Sequence, residues 1–355
     1  MAHVTLKDVS QAAGVSVQTV SQVLNARYRS LYHPQTRQRV IEAARRLGYR
    51  PNAAARAMLN RRSNIIGVLV PIIPHGWFFQ LDVFETMLGM NQRLAQEGYV
   101  TSVIPVRELE AGHSGSRAFR EQMLDGVVVI GWVPDSVAKF VEEVAPVCIW
   151  CDTDADRPQG CIRRDEFHAG RLVAQKVIEQ GYKRILWLTY AEPNLHYSSR
   201  DRRRGIEQEA QRHGISVEAV HARRAWIDDD NSRWARLLDP QTAVLTENMH
   251  FAQSLANLVQ PLGLAPGRDF GLAACDHSNE RAAVFPTLSR AMFDRSEVGL
   301  QAGEMLMSAL QTGKLPPSRT VQAEWYEGTT TRRSHENTST HAANGNQDAS
   351  SGPPG

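Results

Sequence analysis

"GVSVQTVSQVLN", Gly14 to Asn25, lies within a longer run, Val9 to Ala26, that contains no charged side chain. A solvated helix face is ordinarily built from Lys, Arg and Glu, which dissolve well and favour helix. Here the polar positions are Ser, Gln, Thr and Asn. The surroundings are strongly basic: residues 1–62 hold 11 Lys and Arg against Asp8 and Glu42, a net of +9, so the rest of the chain carries −7 of the overall +2. A small basic head on an acidic body points to a polyanionic partner for the head alone.

Local signals around that stretch give three short helices. Thr5 and Asp8 stand at capping-box spacing, Leu6, Val9 and Ala12/Ala13 recur at helical intervals, and Gly14 supplies a stop. Ser16 caps a second helix with Val20, Val23 and Leu24 turned inward. A third, "QTRQRVIEAARRLGY", brings Val40, Ile41, Ala44 and Leu47 as the stripe that closes the core. Two short helices about a tight turn at Gly14 and Val15 make a helix-turn-helix. Val17, Gln18, Ser21 and Gln22 are then left facing outward. Amides and hydroxyls meet donors and acceptors on base edges, while basic neighbours neutralise phosphates. Gln bonds adenine at N6 and N7 together, and Val17 packs on a thymine methyl. The alternative is a neutral face packed on another protein domain.

"VTLKDVSQAAGVSVQTVSQVLN", followed by "TRQRVIEAARRLGYRPNAAARAM", resembles the DNA-binding head of the lac repressor/galactose repressor family of bacterial transcription regulators. Carried over by position, the resemblance makes Val17, Gln18 and Gln22 base readers, and gives Thr5, Ser16, Thr19, Ser21 and Asn25 phosphate-contacting or capping roles. Three departures stand out. Gln22 replaces the family's usual Arg, which favours guanine. The loop "ARYRSLYHPQTR" is longer than usual and adds phosphate contacts through Arg27 and Arg29. In the segment 51–62, too short to be a stable helix alone, the family's hinge helix orders on operator DNA and wedges a leucine into the minor groove. Met58 takes the leucine's place here, with Asn52, Ala55 and Arg56 at the other hinge positions.

From Ser63 the texture changes. "NIIGVLVP", "YVTSVIPV", "DGVVVIG", "APVCIWCD", "KRILWLTY", "QTAVLTEN" and "RDFGLAACD" are short apolar, largely β-branched runs with helical segments between them. Such alternation gives parallel sheets with helices on both faces, and ligands sit beyond the carboxyl ends of the strands. Residues 63–331 resemble the family's effector domain, itself similar to periplasmic sugar-binding proteins. The expected architecture is therefore an all-α helix-turn-helix head (1–50), a hinge (51–62) and a two-lobed α/β periplasmic-binding-protein-like effector domain (63–331). A Ser/Asn/Gly-rich tail (332–355) is too poor in apolar residues to fold.

The resemblance and the strand ends nominate effector contacts. Asp152 ends "CIWCD", Asn248 follows "AVLTE", Asp276 ends "LAACD", and Arg202 begins the family's Arg-x-x-Gly, which closes on Gly205. Trp77, Phe78, Phe79 and Trp226 supply flat apolar faces. Carboxylates, an amide and a guanidinium among aromatics suit a polyhydroxylated, sugar-like ligand. Capping for Asp152, ion pairing for Arg202 and a core role for Phe78 or Phe79 are the alternatives. Many members have Asn-Asp where this chain has Asn248-Met249, which widens the ligand class beyond simple hexoses.

Other chemistry finds little support. Cys148 and Cys151 form a CxxC on a strand, where residues three apart face opposite ways and cannot share a metal ion; buried thiols are expected. No G-x-G-x-x-G or Walker A motif is present, "GHSGS" (112–116) misses the nucleophile-elbow pattern, and "DDD" (228–230) reads as a loop. A sugar-transport protein would need an export signal and no head; a sugar-modifying enzyme would need a catalytic constellation. "MAHVTLKDV" lacks the apolar run of a secretory signal. The reading is a cytoplasmic, homodimeric or higher-order repressor without enzymatic activity or cofactor. It binds pseudo-palindromic double-stranded DNA, stays off membranes and answers to a sugar-like effector.

Overall fold

The computed structural model describes residues 4–24, 30–50, 62–71, 77–110, 116–154, 156–190, 196–222, 231–276 and 285–332. The chain divides into two compact units between Asn64 and Ile65.

The first unit is a helical head: α1 (Leu6–Ala13), α2 (Val17–Leu24) and α3 (Pro34–Leu47). Thr5 and Asp8 make the reciprocal capping box, and Gly14 closes α1 in the left-handed conformation at φ 62°. Val9, Ala13, Val20, Val23, Val40, Ala43 and Ala44 form the buried core. The expected α3 stripe is corrected at one place. Ile41 is 40 % exposed and Ala43 lies inside, because positions 40, 43, 44 and 47 share one helical face. Ala12 likewise faces solvent while Ala13 is buried.

The second unit holds two six-stranded sheets. The first is built from β1 (Ile65–Val70), β2 (Val100–Pro105), β3 (Gly126–Ile130), β4 (Cys148–Cys151), β5 (Cys161–Arg164) and β11 (Arg319–Val321). Its order is β11-β5-β4-β3-β1-β2 and all pairings are parallel. The second is built from β6 (Arg184–Tyr190), β7 (Val217–Ala222), β8 (Thr242–Thr246), β9 (Gly271–Ala274), β10 (Ser289–Met292) and β12 (Glu324–Tyr326). Its order is β12-β10-β9-β8-β6-β7, with only β12 antiparallel. Both are doubly wound, and in each the order reverses beside the first strand, β1 or β6, where such sheets place their ligand crevice.

The principal helices are α4 (Trp77–Gln96), α5 (Asp135–Val144), α6 (Glu166–Glu179), α7 (Tyr197–Arg212), α8 (Met249–Val259) and α9 (Arg295–Thr312). Separate buried clusters pack on the two faces of each sheet. Cys148 and Cys151 belong to clusters on opposite faces. Burial pushes the Cys151 thiol well above its ordinary range, and that of Cys161 up to about 11. The chain passes between lobes three times: from β5 into α6, from β10 into α9, and from β11 into β12. Those crossings decide where charge accumulates.

Candidate DNA-reading face and effector centre

In the head, Val20 and Val23 of α2 go inward and leave an uncharged outer row. Val20 and Val23 are fully buried, Val17 is 43 % exposed, Gln18 and Ser21 are exposed, and Gln22 is half-buried. Ser16 Oγ accepts from the Thr19 amide at 3.1 Å and contacts Thr19 Oγ1 at 2.9 Å, so these two hydroxyls stiffen the start of the helix. Tyr32, whose ring packs on the head's core, donates its hydroxyl hydrogen to Gln22 Oε1. Lys7, Arg39, Arg45, Arg46 and Arg50 of the same unit are exposed. Asn25, Arg27, Arg29, Asn52, Ala55, Arg56 and Met58 lie outside the described residues.

In the second unit, Asp152, Arg202 and Asp276 converge at the lobe junction, joined by residues not anticipated from the sequence. Asp276, just past β9, receives three guanidinium groups. Arg202 Nη2 approaches Oδ2 at 2.9 Å, Arg164 Nη1 at 3.1 Å, and Arg295 Nη2 at 2.7 Å. Arg164, the last residue of β5, also grips Asp152 through Nε at 3.1 and 3.0 Å and Nη2 at 2.8 Å. It reaches Glu166 at 2.8 Å. Arg202 makes a bidentate pair with Glu166 at 2.7 and 2.8 Å and donates Nη1 to the Glu247 carbonyl at 2.8 Å. Arg295 opens α9 and lies 3.2 Å from Asp82.

The backbone explains why these groups meet. Gly170 of α6 and Gly205 of α7 face each other where the helices cross: a Cβ on Gly205 would stand 2.2 Å from the Phe167 carbonyl, and one on Gly170 2.1 Å from that of Arg202. The close crossing brings Arg202 against Glu166, so the glycine of Arg-x-x-Gly serves the arginine. Asp152 adopts φ 55°, in the left-handed region that a non-glycine residue rarely occupies. It is held there by Arg164, by the Tyr197 hydroxyl on its carboxylate, and by His196 Nε2, which donates to its carbonyl at 2.9 Å.

The electrostatics follow from burial and pairing. Arg164, Arg202, Arg295, Glu166 and Asp276 are all under one-tenth exposed. Burial works against charge on Asp152, yet Arg164, His196 and Arg295 hold its carboxyl well below the usual range. Glu247 is pushed up by burial although Thr189 and Ser199 hydroxyls donate to it, the latter at 2.7 Å. Burial raises the Tyr190 hydroxyl to about 12.

The other expected contacts fare differently. Asn248 caps α8, accepting from the amides of His250 and Phe251 at 3.0 and 3.3 Å, and its Nδ2 donates to Tyr190 Oη at 3.2 Å. It adjoins Glu247 at the margin of the network. Trp77, Phe78 and Phe79 form the first turn of α4, but their side chains lie outside the described residues, as do Trp226 and "DDD". Ser198 Oγ lies 2.9 Å from His196 Nδ1, and the other ring nitrogen meets a backbone carbonyl rather than a carboxylate. That is not the arrangement of a nucleophile–base–acid triad. Guanidinium and carboxylate groups packed this way can exchange partners with ligand hydroxyls.

Comparison with known proteins agrees with both halves. Residues 5–52 match the model for bacterial regulatory proteins of the lacI family. Residues 63–238 match the periplasmic binding proteins and sugar binding domain of the LacI family, and 174–331 a periplasmic binding protein-like domain. The ribose operon repressor of Bacillus subtilis (strain 168) is 26 % identical over 333 residues, covering 93 % of this chain and 98 % of its own. The Lac repressor bound to ONPG shares the fold with a TM-score of 0.74 at 22 % identity, over 93 % of this chain and 100 % of that one. The Lac repressor dimer bound to operator and the anti-inducer ONPF gives 0.73 at 21 %, over 94 % and 100 %. A helix-turn-helix head followed by this two-lobed body over nearly the whole chain means that the protein belongs to the LacI family of bacterial regulatory proteins.

Proposed function

We propose that the chain is a homodimeric, cytoplasmic transcriptional repressor whose α2 reads a pseudo-palindromic operator and whose lobe junction takes up a polyhydroxylated, sugar-like effector. The observation that carries the reading is the row Val17, Gln18 and Ser21, exposed and uncharged inside a basic head. Gln18 and Gln22 recognise base edges, Val17 packs on a thymine methyl, and Thr5, Ser16, Thr19, Ser21, Asn25, Arg27 and Arg29 hold phosphates or cap. Asn52, Ala55, Arg56 and Met58 form the hinge, with Met58 as the minor-groove wedge.

Dimerisation is supported by an apolar surface on the first lobe. Phe84 and Leu88, one turn apart on α4, are 56 % and 50 % exposed, and Val103, on the same face of the edge strand β2 as Thr101, is 48 % exposed. Asn91 ties that strand to that helix by accepting from Thr101 at 2.8 Å. A second copy covers such a patch under twofold symmetry, and twofold protein calls for twofold DNA.

The effector is proposed to contact Asp152, Arg202, Asn248 and Asp276, with Trp77, Phe78, Phe79 and Trp226 as apolar walls. Because the network joins both lobes, a ligand that takes over some of its hydrogen bonds changes the lobe angle and couples occupancy to the paired hinges. A thermal-shift screen of sugars, sugar acids and phosphosugars tests this. A hit should raise the melting temperature of the parent chain and not that of Arg202→Ala; equal shifts in both would refute the assignment.

A further inference from the structure

Gln22 does not present its amide freely. Its Oε1 accepts from Tyr32, which stands outside α2 and precedes α3. The Tyr32 ring belongs to the apolar packing of the head, beside the cluster of Val9, Val20, Val23 and Val40. The hydroxyl therefore comes from an anchored side chain and holds the oxygen end of the Gln22 amide.

A glutamine amide carries two donor hydrogens on nitrogen and an acceptor oxygen. Reading adenine uses both ends at once: oxygen accepts from N6 while nitrogen donates to N7. An amide whose oxygen is turned to the protein has its nitrogen left for the base. Guanine, with N7 and O6 side by side as acceptors, is the edge that matches a donor-only group. We infer that Tyr32 is a positioning residue that makes Gln22 a reader of guanine rather than adenine. Gln22 then acts as an uncharged counterpart of the arginine usual in the family. This inference rests on the proposed placement of α2 in the major groove.

The test is selection of bound duplexes from a randomised pool by the full chain, followed by sequencing, for the parent, Gln22→Ala and Tyr32→Phe. The position whose preference Gln22→Ala erases is the one Gln22 reads. The parent should select guanine there. Tyr32→Phe keeps the ring in the core and frees the amide, so adenine should gain on guanine by about tenfold at that position alone. Adenine selected by the parent would overturn the inference even if a variant failed to fold. So would an unchanged guanine-to-adenine ratio in Tyr32→Phe, or a uniform loss across all positions, which marks a hydroxyl that merely steadies the loop. A parent chain that enriches no sequence would instead overturn the DNA-reading function itself.

Discussion

Arg164, at the end of β5 in the first sheet, places Nη1 3.1 Å from Oδ2 of Asp276, which follows β9 in the second. One ion pair thus bridges the two lobes at their junction, and the same guanidinium holds Asp152. Moving such charges out of water is costly, and mutual attraction offsets that cost only when every partner is present. Removing one partner is therefore worse than never having built the network. Arg164→Met should destabilise the effector unit by about 3–5 kcal/mol in denaturant unfolding. A loss below about 1 kcal/mol would show that the network is not a structural tie.

Gly205 should tolerate no side chain. Its absent Cβ allows α7 to lie against α6, with the Phe167 carbonyl only 2.2 Å from where that atom would sit. Gly205→Ala should separate the helices and strain Arg202–Glu166, lowering stability by about 1–3 kcal/mol. Gly214→Ala is a poor control because Gly214 has φ 66°; Arg203→Ala, exposed on the same helix, is a sound one. Equal melting curves for Gly205→Ala and Arg203→Ala would contradict the close-crossing argument.

Acid should loosen the lobe junction in two stages. His196 is pushed down from its ordinary 6.5 by burial, against the pull of Asp152 and Asp154. The unfolded chain takes that proton first, so stability declines as pH falls below the unfolded value and toward the folded one. Asp152 is depressed in the fold by Arg164, His196 and Arg295 despite burial, so its contribution is present above the ordinary carboxylate range and is lost as pH falls further. Melting temperature should fall steadily on acidification from neutral pH. His196→Gln, which can donate to the Asp152 carbonyl and accept from Ser198, should flatten the upper part of that decline. An identical pH profile in the variant would remove His196 from the explanation.

The cap that opens the head is separable from base reading. Thr5→Ala removes the hydroxyl that accepts from the Asp8 amide at 3.4 Å and donates to the Asp8 carboxylate at 2.8 Å, leaves the backbone amide of that position on the carboxylate, and should cost about 1 kcal/mol of head stability. Gln18→Ala should leave the melting curve alone yet relax preference at one base position by about 1–3 kcal/mol. A reversal of these two outcomes, read by calorimetry and competitive binding, would reassign both residues.

How much of this was legible in the sequence varied with the physics. β1, β3, β4, β6, β8 and β9 are interior strands whose apolar runs announce themselves. β5 and β10, reading CIRR and SRAM, do not, because buried Arg164 and Arg290 look like surface residues in one dimension. Asp152, Arg202 and Asp276 could be nominated from strand ends and a motif. Arg164, Glu166 and Arg295 could not: "RRDEF" reads as a solvated charge run, and its partners arrive from Asp276 and Arg202, far along the chain. The neutral run of α2 was the readable signal, since an absence of charge is local.

The most direct measurement is fluorescence anisotropy of the full chain on its selected pseudo-palindromic duplex and on a scrambled duplex of equal length, across a salt series. The account predicts affinity for the selected duplex about a thousandfold or more above the scrambled one, with log K falling linearly as log salt rises. Equal affinity for the two duplexes would contradict it.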